Sequence, residues 1–394
     1  MKNDITKSLS ILLFVFTVFL NCGYAQNTEE VEAKGIGIGR ADALQDAMRN
    51  AVSQAAGVTL TSQTQVENFM VIQDAINTRA EGYIESYDVI NEGRIDDMTE
   101  ITIKAKVSLN PLKADINTLA NSLGGIRFLV MYDDRDIPEE EVEYYESAVD
   151  RVNEFLSARR YRYIERNRFE QLKQEARGIY QDSPTNDESY VQHLGMMADA
   201  QFIILIRKIN VQSRSGGYVS TDSKTTIEVN AYDNCTAEGL GTIVMESDWI
   251  SSRQPQTSIN EGVNEAVKKD FERLLSVFVS YIGDWVNNGT PYELRFYSSG
   301  TFRDFRELRR KIINDPNFGG QIEIVAFNNY TKLNITFRER PDNLAYLILD
   351  YADEVPNFKD KLLDVKFIFG RQINFAPQNT FVPELEPFQG DGRE

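Results

Sequence analysis

The most apolar stretch beyond the N-terminal leader is Ala198–Val211, with the sequence ADAQFIILIRKINV. Its centre, Phe202–Leu205, is a continuous apolar run that Ile206 extends and that Arg207 and Lys208 end. An unbroken apolar run of this length is typical of a strand that is buried on both faces. Apolar residues recur at helical spacing just before it, at Tyr190, Val191, Leu194, Met197 and Ala198. We therefore predict a helix, a tight turn and a central strand that organises the surrounding chain.

The beginning of the chain has the order of parts of a secretion signal. A positive start with Lys2 and Lys7 precedes the apolar run Leu9–Leu20, and Gly23-Tyr24-Ala25 supplies small residues before a cleavage site. We therefore expect a signal peptide over residues 1–25. The mature protein is then expected in the periplasm or at the periphery of the outer membrane.

A lipoprotein signal is the alternative interpretation of this leader. It would place the acylated residue at Cys22, although Asn21 stands where a small residue is usual. No later segment approaches the roughly 20 apolar residues that span a bilayer. We therefore expect no transmembrane helix in the mature chain, with a lipid anchor as the open alternative.

The net charge argues against some function classes, and the cysteine content limits how the fold can be stabilised. The formal net charge is −18 over 394 residues, which opposes binding to nucleic acid or to anionic lipid, since both need basic patches. Cleavage after Ala25 leaves Cys235 as the only cysteine. A single cysteine makes no internal disulfide, so the fold must depend on its apolar core.

The segment 26–122 predicts a small α+β domain. After a polar, loose start at Asn27–Ala33, a helix over Ala41–Ala56 places small apolar residues on one face, which suits close packing on a sheet. A strand is predicted over Tyr83–Asn91, and the alternation from Ile101 to Leu109 predicts a second, half-buried strand.

A run of alternating glycines, Gly35-Ile36-Gly37-Ile38-Gly39, precedes that helix. A dinucleotide-binding loop would need an apolar strand before the glycines and an acidic residue after the next strand. The residues before this run are largely acidic, and the spacing is GxGxG. We therefore interpret the glycines as positions where a strand crosses a helix closely.

Several of these segments together resemble a known family. The Ala-rich helix ADALQDAMRNAVSQAAGV, the helix VENFMVIQDAINTRAEG and the strands YIESYDVI and EITIKAKVSL are similar to the N-terminal domain of flagellar assembly protein T and related envelope lipoproteins. The resemblance implies a small α+β domain of the cell envelope. It implies no catalytic residue.

The segment 123–288 alternates strands with helices. A buried strand is predicted at Ile126–Tyr132, in addition to the central strand, and alternating strands at Thr225–Tyr232 and Gly241–Ser247. Long helices are predicted at Glu139–Arg159 and Asn260–Val286. This order predicts an α/β sheet that is covered on both faces. The pattern resembles the periplasmic domain shared by the curli secretion-pore family and penicillin-binding-protein activator lipoproteins.

Carboxylates follow the first strand of this segment at Asp133, Asp134 and Asp136. Ligands bind α/β sheets beyond the carboxyl ends of strands, and clustered carboxylates hold magnesium. No phosphate-binding or phosphotransfer motif accompanies them, so we take helix-start and loop chemistry before Pro138 as the better interpretation and keep the three residues as weak ligand candidates.

The segment 289–375 predicts the order β-α-β-β-α-β, which is that of a ferredoxin-like domain. Asn287–Pro291 is interpreted as a linker, and residues 376–394 as a flexible acidic tail. The first helix is basic, and Arg303, Arg306 and Arg310 lie on it at helical spacing. We expect them to bind an acidic protein surface, with pairing to Asp304 and Glu307 as the alternative.

The chain offers little for catalysis. His193 is the only histidine, which is too few for a zinc site or a Ser-His-Asp triad, and Cys235 has no histidine or cation near it in sequence. We therefore expect no catalytic, cofactor or metal site, and a non-enzymatic envelope assembly or accessory protein that binds envelope proteins or a second copy of itself. The alternative is a hydrolase or ligand-binding protein that uses the Asp133–Asp136 end of the central sheet.

Overall fold

The structure is a computed structural model that describes residues 28–62, 69–95, 97–123, 126–134, 137–180, 187–216, 220–326, 329–383 and 385. These residues form two compact units. The first contains the described residues up to Ser62 together with Arg79–Ala114, and the second contains those of Gln63–Thr78 and Asp115–Glu394. The predicted signal peptide and Cys22 lie outside the described residues. The fold is a multidomain α+β architecture, as predicted.

The first unit is a three-stranded antiparallel sheet in the order β1-β3-β2. Its elements are β1 (Thr28–Gly37), α1 (Arg40–Ser62), β2 (Ile84–Ile95) and β3 (Met98–Ser108). The alternating strand predicted near Ile101 is confirmed as β3. The strand predicted over Tyr83–Asn91 runs further than expected, because β2 continues to Ile95.

The loose start predicted for Asn27–Ala33 is also wrong, because residues from Thr28 onward form β1. In this strand Val31, Ala33, Gly35 and Gly37 are buried, while the residues between them are more exposed. Glu30 and Glu32 therefore lie on the solvent face, whereas Glu29 is half-buried. Because the outer face of this strand is so polar, its amino-acid composition is similar to that of a solvated loop, and composition alone does not identify it as a strand.

The second unit contains a central sheet in the order β4-β5-β6-β7, with β8 paired to β6. Only β4 and β5 are parallel. The strands are β4 (Phe128–Tyr132), β5 (Phe202–Ser215), β6 (Thr221–Asp233), β7 (Glu238–Glu246) and β8 (Ile250–Ser252). The helices of this unit are α2 (Phe69–Asn77), α4 (Val142–Ala158), α5 (Arg166–Tyr180), α6 (Asp187–Met197) and α7 (Pro255–Asn288), and α3 (Leu109–Leu123) begins in the first unit and ends in the second.

The predicted central strand is β5, and it is covered on both faces as expected. One face packs on α7, where Phe202 and Phe128 contact Phe278 at ring-centroid distances of 5.3 and 5.1 Å. On the other face Ile203 and Leu205 belong to a cluster with residues of α5 and α6, namely Phe169, Leu172, Tyr190, Val191 and Leu194. Every residue from Phe202 to Ile206 is buried.

The last part of the chain forms a five-stranded sheet in the order β10-β11-β9-β13-β12. Its elements are β9 (Thr290–Tyr297), α8 (Phe302–Ile313), β10 (Phe318–Ala326), β11 (Tyr330–Phe337), α9 (Pro341–Asp353), α10 (Pro356–Asp360), β12 (Leu363–Phe369) and β13 (Gln372–Pro377). The linker predicted at Asn287–Pro291 is wrong, because only Gly289 separates α7 from β9.

The predicted β-α-β-β-α-β order occurs through β12, but the ferredoxin-like arrangement is not confirmed. Sequence analysis missed β13, which pairs in parallel with β9 and separates it from β12. In a ferredoxin-like sheet the fourth strand, here β12, would pair directly with the first strand, here β9. The described start of the predicted tail is also packed, because Val382 and Leu385 contact Tyr297 and Ala376.

Candidate functional site

A buried ion pair joins the hairpin between β12 and β13 to the end of β6. Arg371 donates through Nη1 to Asp233 Oδ2 at 2.8 Å and through Nη2 to Asp233 Oδ1 at 2.6 Å. The two side chains are 3% and 0% exposed, and the Arg371 guanidinium lies 4.4 Å from the ring centroid of Trp285. Tyr281 donates its hydroxyl to the same carboxylate at 2.7 Å. Every partner is a protein group, so this cluster fastens two sheets together and offers no open position for a substrate.

The ion pair keeps the Arg371 guanidinium charged. Burial alone would lower the pKa of Arg371, but its neighbours, chiefly the Asp233 carboxylate, together raise that pKa. Burial raises the pKa of the neighbouring Cys235 thiol to about 12. The thiol is therefore protonated at neutral pH, and a protonated thiol is a much weaker nucleophile than a thiolate.

His193 lies on α6 and is 7% exposed. Burial lowers the pKa of its imidazole to about 4, so the ring is neutral at physiological pH. A general base works best with a pKa near the operating pH, and this pKa is well below it. His193 therefore acts as a packing residue.

This pKa predicts acid sensitivity. The folded-state pKa of His193 is lower than the unfolded value of 6.5, so the unfolded state binds more protons between about pH 6.5 and 4, and the free energy of unfolding falls as the pH drops through that window. We expect a loss on the order of 3 kcal/mol from this group. Urea unfolding of wild type and of His193→Gln at neutral and acidic pH measures it. Equal acid-induced losses in both proteins would contradict the assignment.

Of the three carboxylates after β4, the structure describes Asp133 and Asp134. Asp134 pairs with the buried ammonium of Lys173 at 3.1 Å, and Lys173 also pairs with Glu170 at 3.0 Å. Asp133 lines a cavity, and Asp136 lies outside the described residues. Because the Lys173 ammonium already lies against Asp134, it would repel a magnesium ion bound to that carboxylate. Within the described ranges, no group of three or more His, Cys, Asp and Glu residues is placed to hold a metal ion.

That cavity, with a volume of about 320 Å³, lies on the face of the central sheet beside α6. We call it the α6 cavity. Its apolar lining comes from Val191 on α6 and from Ile203 and Leu205 on β5. Its polar lining consists of Asp133, Gln192, Arg207, Tyr232, Asp233 and Asn234, with Ala237 and Gly239 completing the wall. Arg207 ends the apolar run in the sequence, and no sequence pattern indicates that it lines a cavity.

A second depression, of about 330 Å³, is lined by nine residues of α4, α5 and α7, of which four are carboxylates. Its cation Arg166 already pairs with Glu146 and with Asp150. Arg151 likewise pairs with Glu154. This is a solvated charged surface, and its cations already have partners.

The helix α8 presents a basic surface on the opposite side from its core residues. Phe305, Leu308 and Ile312 are buried against the sheet, whereas Arg303, Arg306, Arg309 and Arg310 are exposed. Of the predicted intrahelical pairs, Arg310–Glu307 forms at 2.9 Å. Asp304 instead completes the N-terminal capping box of α8 with Thr301. Arg303, Arg306 and Arg309 make no ion pair with any described residue.

Comparisons with known proteins add little. No family model matches the chain, and no curated protein matches it. Among solved structures, a hypothetical protein from Chlamydia trachomatis aligns with 41% of this chain and 96% of its own length, at 14% identity and a TM-score of 0.23. A TM-score this low carries no argument. In the part of the chain that the structure describes, no helix is long and apolar enough to cross a membrane. The family resemblances inferred from the sequence stay predictions.

Proposed function

We propose that this chain is a non-enzymatic accessory protein of the bacterial cell envelope, and that it acts by binding protein through the exposed surface of α8. One observation supports the binding surface above all. Three arginines on one helix, Arg303, Arg306 and Arg309, are exposed without an ion-pair partner among the described residues of a chain whose net charge is −18. The envelope location comes from the leader and from the family resemblances.

Apolar side chains bracket these arginines. Phe302, at the start of α8, is 67% exposed, and Ile313, at its end, is 37% exposed. Large apolar side chains beside arginine are common at the centres of protein interfaces. The arginines of the α8 surface therefore favour an acidic partner. Burial of Phe302 and Ile313 in the interface would add hydrophobic stabilisation to the complex.

The neighbouring helix α9 carries the opposite charge. Its residues Leu344 and Ile348 share a core cluster with Phe305 and Leu308 of α8, so the outer sides of both helices face away from the same sheet. On its outer side, Tyr346 is 70% exposed, and Asp350 and Asp353 are exposed. When two copies are related by a two-fold axis, the basic surface of α8 in each copy can face the acidic surface of α9 in the other. We therefore commit to a second copy of this chain as the partner, with α8 of each copy on α9 of the other.

Reversing the basic strip is expected to abolish self-association. Sedimentation velocity over a concentration series would compare wild type with the triple variant Arg303→Glu, Arg306→Glu, Arg309→Glu. We expect wild type to dimerise and the variant to be monomeric with an unchanged melting temperature, because substitutions at exposed positions usually cost within about 0.5 kcal/mol. The matched control replaces the same three residues with lysine and is expected to retain the dimer.

A charge-swap experiment identifies the partner surface. Mixing the reversed variant with Asp350→Arg, Asp353→Arg protein should restore a heterodimer if α8 contacts α9 of the second copy. A wild-type protein that is monomeric throughout the concentration series would contradict self-association. An unchanged dimer in the reversed variant would contradict the α8 surface.

A further inference from the structure

The outer sides of α8 and α9 carry exposed residues at the same spacing. On each helix a set of exposed residues recurs at positions i, i+3, i+7 and i+10, which form one continuous stripe along a helix. The stripe on α8 consists of Arg303, Arg306, Arg310 and Ile313, and the stripe on α9 consists of Asn343, Tyr346, Asp350 and Asp353. Because the two stripes have equal length and matching spacing, they can lie against each other residue by residue.

The two helices run along the sheet in opposite senses. β9 and β10 are both antiparallel to β11, so α8, which joins β9 to β10, returns against the direction of these two strands. β12 is antiparallel to β13, which is parallel to β9, so β12 runs in the same direction as β11, and α9 returns against both. A two-fold axis that exchanges the positions of α8 and α9 lies along the helices and keeps their senses. The helices that meet across the axis are therefore antiparallel.

The charges along the two stripes match in this orientation. The antiparallel register places Arg303 opposite Asp353 of the second copy and Arg306 opposite Asp350. None of these four residues makes an ion pair with a described residue of its own chain. The parallel register would place only Arg310 opposite an acid, and it would set the apolar Ile313 against Asp353. The antiparallel register therefore gives more favourable contacts.

The same register places Tyr346 opposite Arg310 of the second copy. Tyr346 is 70% exposed, and an aromatic ring attracts a guanidinium that lies over its face. Arg310 donates to Glu307 of its own chain through Nη2 at 2.9 Å. That bond uses an edge of the planar guanidinium, so the face of the group can still stack on a ring. Tyrosine and arginine side chains often dominate the binding free energy of an interface.

We propose that α8 packs antiparallel on α9 of the second copy, and that Tyr346 contributes the largest share of the binding free energy by stacking on Arg310. This proposal rests on the proposed self-association, and it adds the orientation of the helices and the residues that meet. Two-fold symmetry repeats each contact, so every pair of residues occurs twice in the dimer.

Disulfide cross-linking between single-cysteine variants of the full mature chain tests the orientation. Ile313 lies opposite Asn343 in the antiparallel register and opposite Asp353 in the parallel register. We expect a mixture of Ile313→Cys and Asn343→Cys proteins to form a disulfide-linked heterodimer under mild oxidation. A mixture of Ile313→Cys and Asp353→Cys proteins should form little of it. The native Cys235 is completely buried and does not compete. Preferential linkage of the second mixture would overturn the antiparallel orientation.

Sedimentation equilibrium tests the contribution of Tyr346. Tyr346→Ala should raise the dimer Kd by about tenfold or more, because the ring that stacks on the guanidinium is lost. Tyr346→Phe is the matched control, since it keeps the ring, and its Kd should stay close to that of wild type. A Tyr346→Ala protein that dimerises as tightly as wild type would overturn the role of Tyr346. A wild-type protein that stays monomeric would contradict the self-association itself, whereas a dimer that fails these two tests refutes only the contacts proposed here.

Discussion

Replacing Arg371 with methionine is expected to lower the free energy of unfolding by about 3–5 kcal/mol, the range for removing one partner of a buried ion pair. The variant leaves the Asp233 carboxylate buried and without its cation, and Asp233 is fully inaccessible to solvent. The loss comes mainly from that uncompensated charge, since methionine retains much of the apolar volume beside Trp285.

Denaturant unfolding followed by circular dichroism measures this loss, and an exposed ion pair provides the control. Lys269 pairs with Asp248 at 3.3 Å, with side chains 52% and 77% exposed. Lys269→Met should cost less than about 1 kcal/mol. Adding Asp233→Asn to Arg371→Met should recover part of the loss, because it removes the unpaired charge. If Arg371→Met costs no more than Lys269→Met, this ion pair does not fasten the two sheets.

Replacing Gly35 with alanine is expected to destabilise the first unit by about 3 kcal/mol, at the upper end of the usual cost of overpacking. A Cβ atom at Gly35 would lie 2.1 Å from the backbone nitrogen of Ala47 and 2.2 Å from the carbonyl oxygen of Ala43. Both clashes are with the backbone of α1, so no side chain can rotate to relieve them. The helix would have to move away from β1.

Gly39 supplies the control from the same glycine run. A Cβ atom there would meet nothing closer than Asp42 Oδ2 at 3.7 Å, so Gly39→Ala creates no clash and should cost only about 1 kcal/mol, the usual cost of alanine at the residue that caps the start of a helix. Hydrogen exchange of peptides from α1 and β3 reports on the first unit specifically. Comparable protection in Gly35→Ala and Gly39→Ala would show that the helix is not held against β1 as described.

The parts of the fold that follow from apolar periodicity were predicted from the sequence. The continuous run at Phe202–Ile206 predicted β5, and the alternation at Ile101–Leu109 predicted β3. The interpretation of the glycine run as a close strand–helix crossing agrees with the contacts at Gly35 and Gly37. In each case one local pattern specifies which faces of the element are buried.

Sequence reasoning failed where burial depends on residues far apart in the chain. In β13, Gln372 and Asn374 are completely buried, although their residue types are typical of loops. Asp233 and Arg371 are 138 positions apart, and neither has a local pattern that identifies the other. One feature of the sequence indicates the β-bulge in β5 at Arg207. The two consecutive charged residues Arg207 and Lys208 lie inside a strand that continues to Ser215.

The position of β13 has a consequence for the order of folding during synthesis. The ribosome makes β9, β10 and β11 well before β13, so one edge of β9 has no neighbour until Gln372–Pro377 has been made. Asp233 also lacks its cation during that interval, because Arg371 directly precedes β13. Insertion of β13 therefore fills the gap in one sheet and neutralises the buried charge of the other in a single event. Completion of the two sheets is coupled, and nascent chains that stop before Arg371 hold both defects at once.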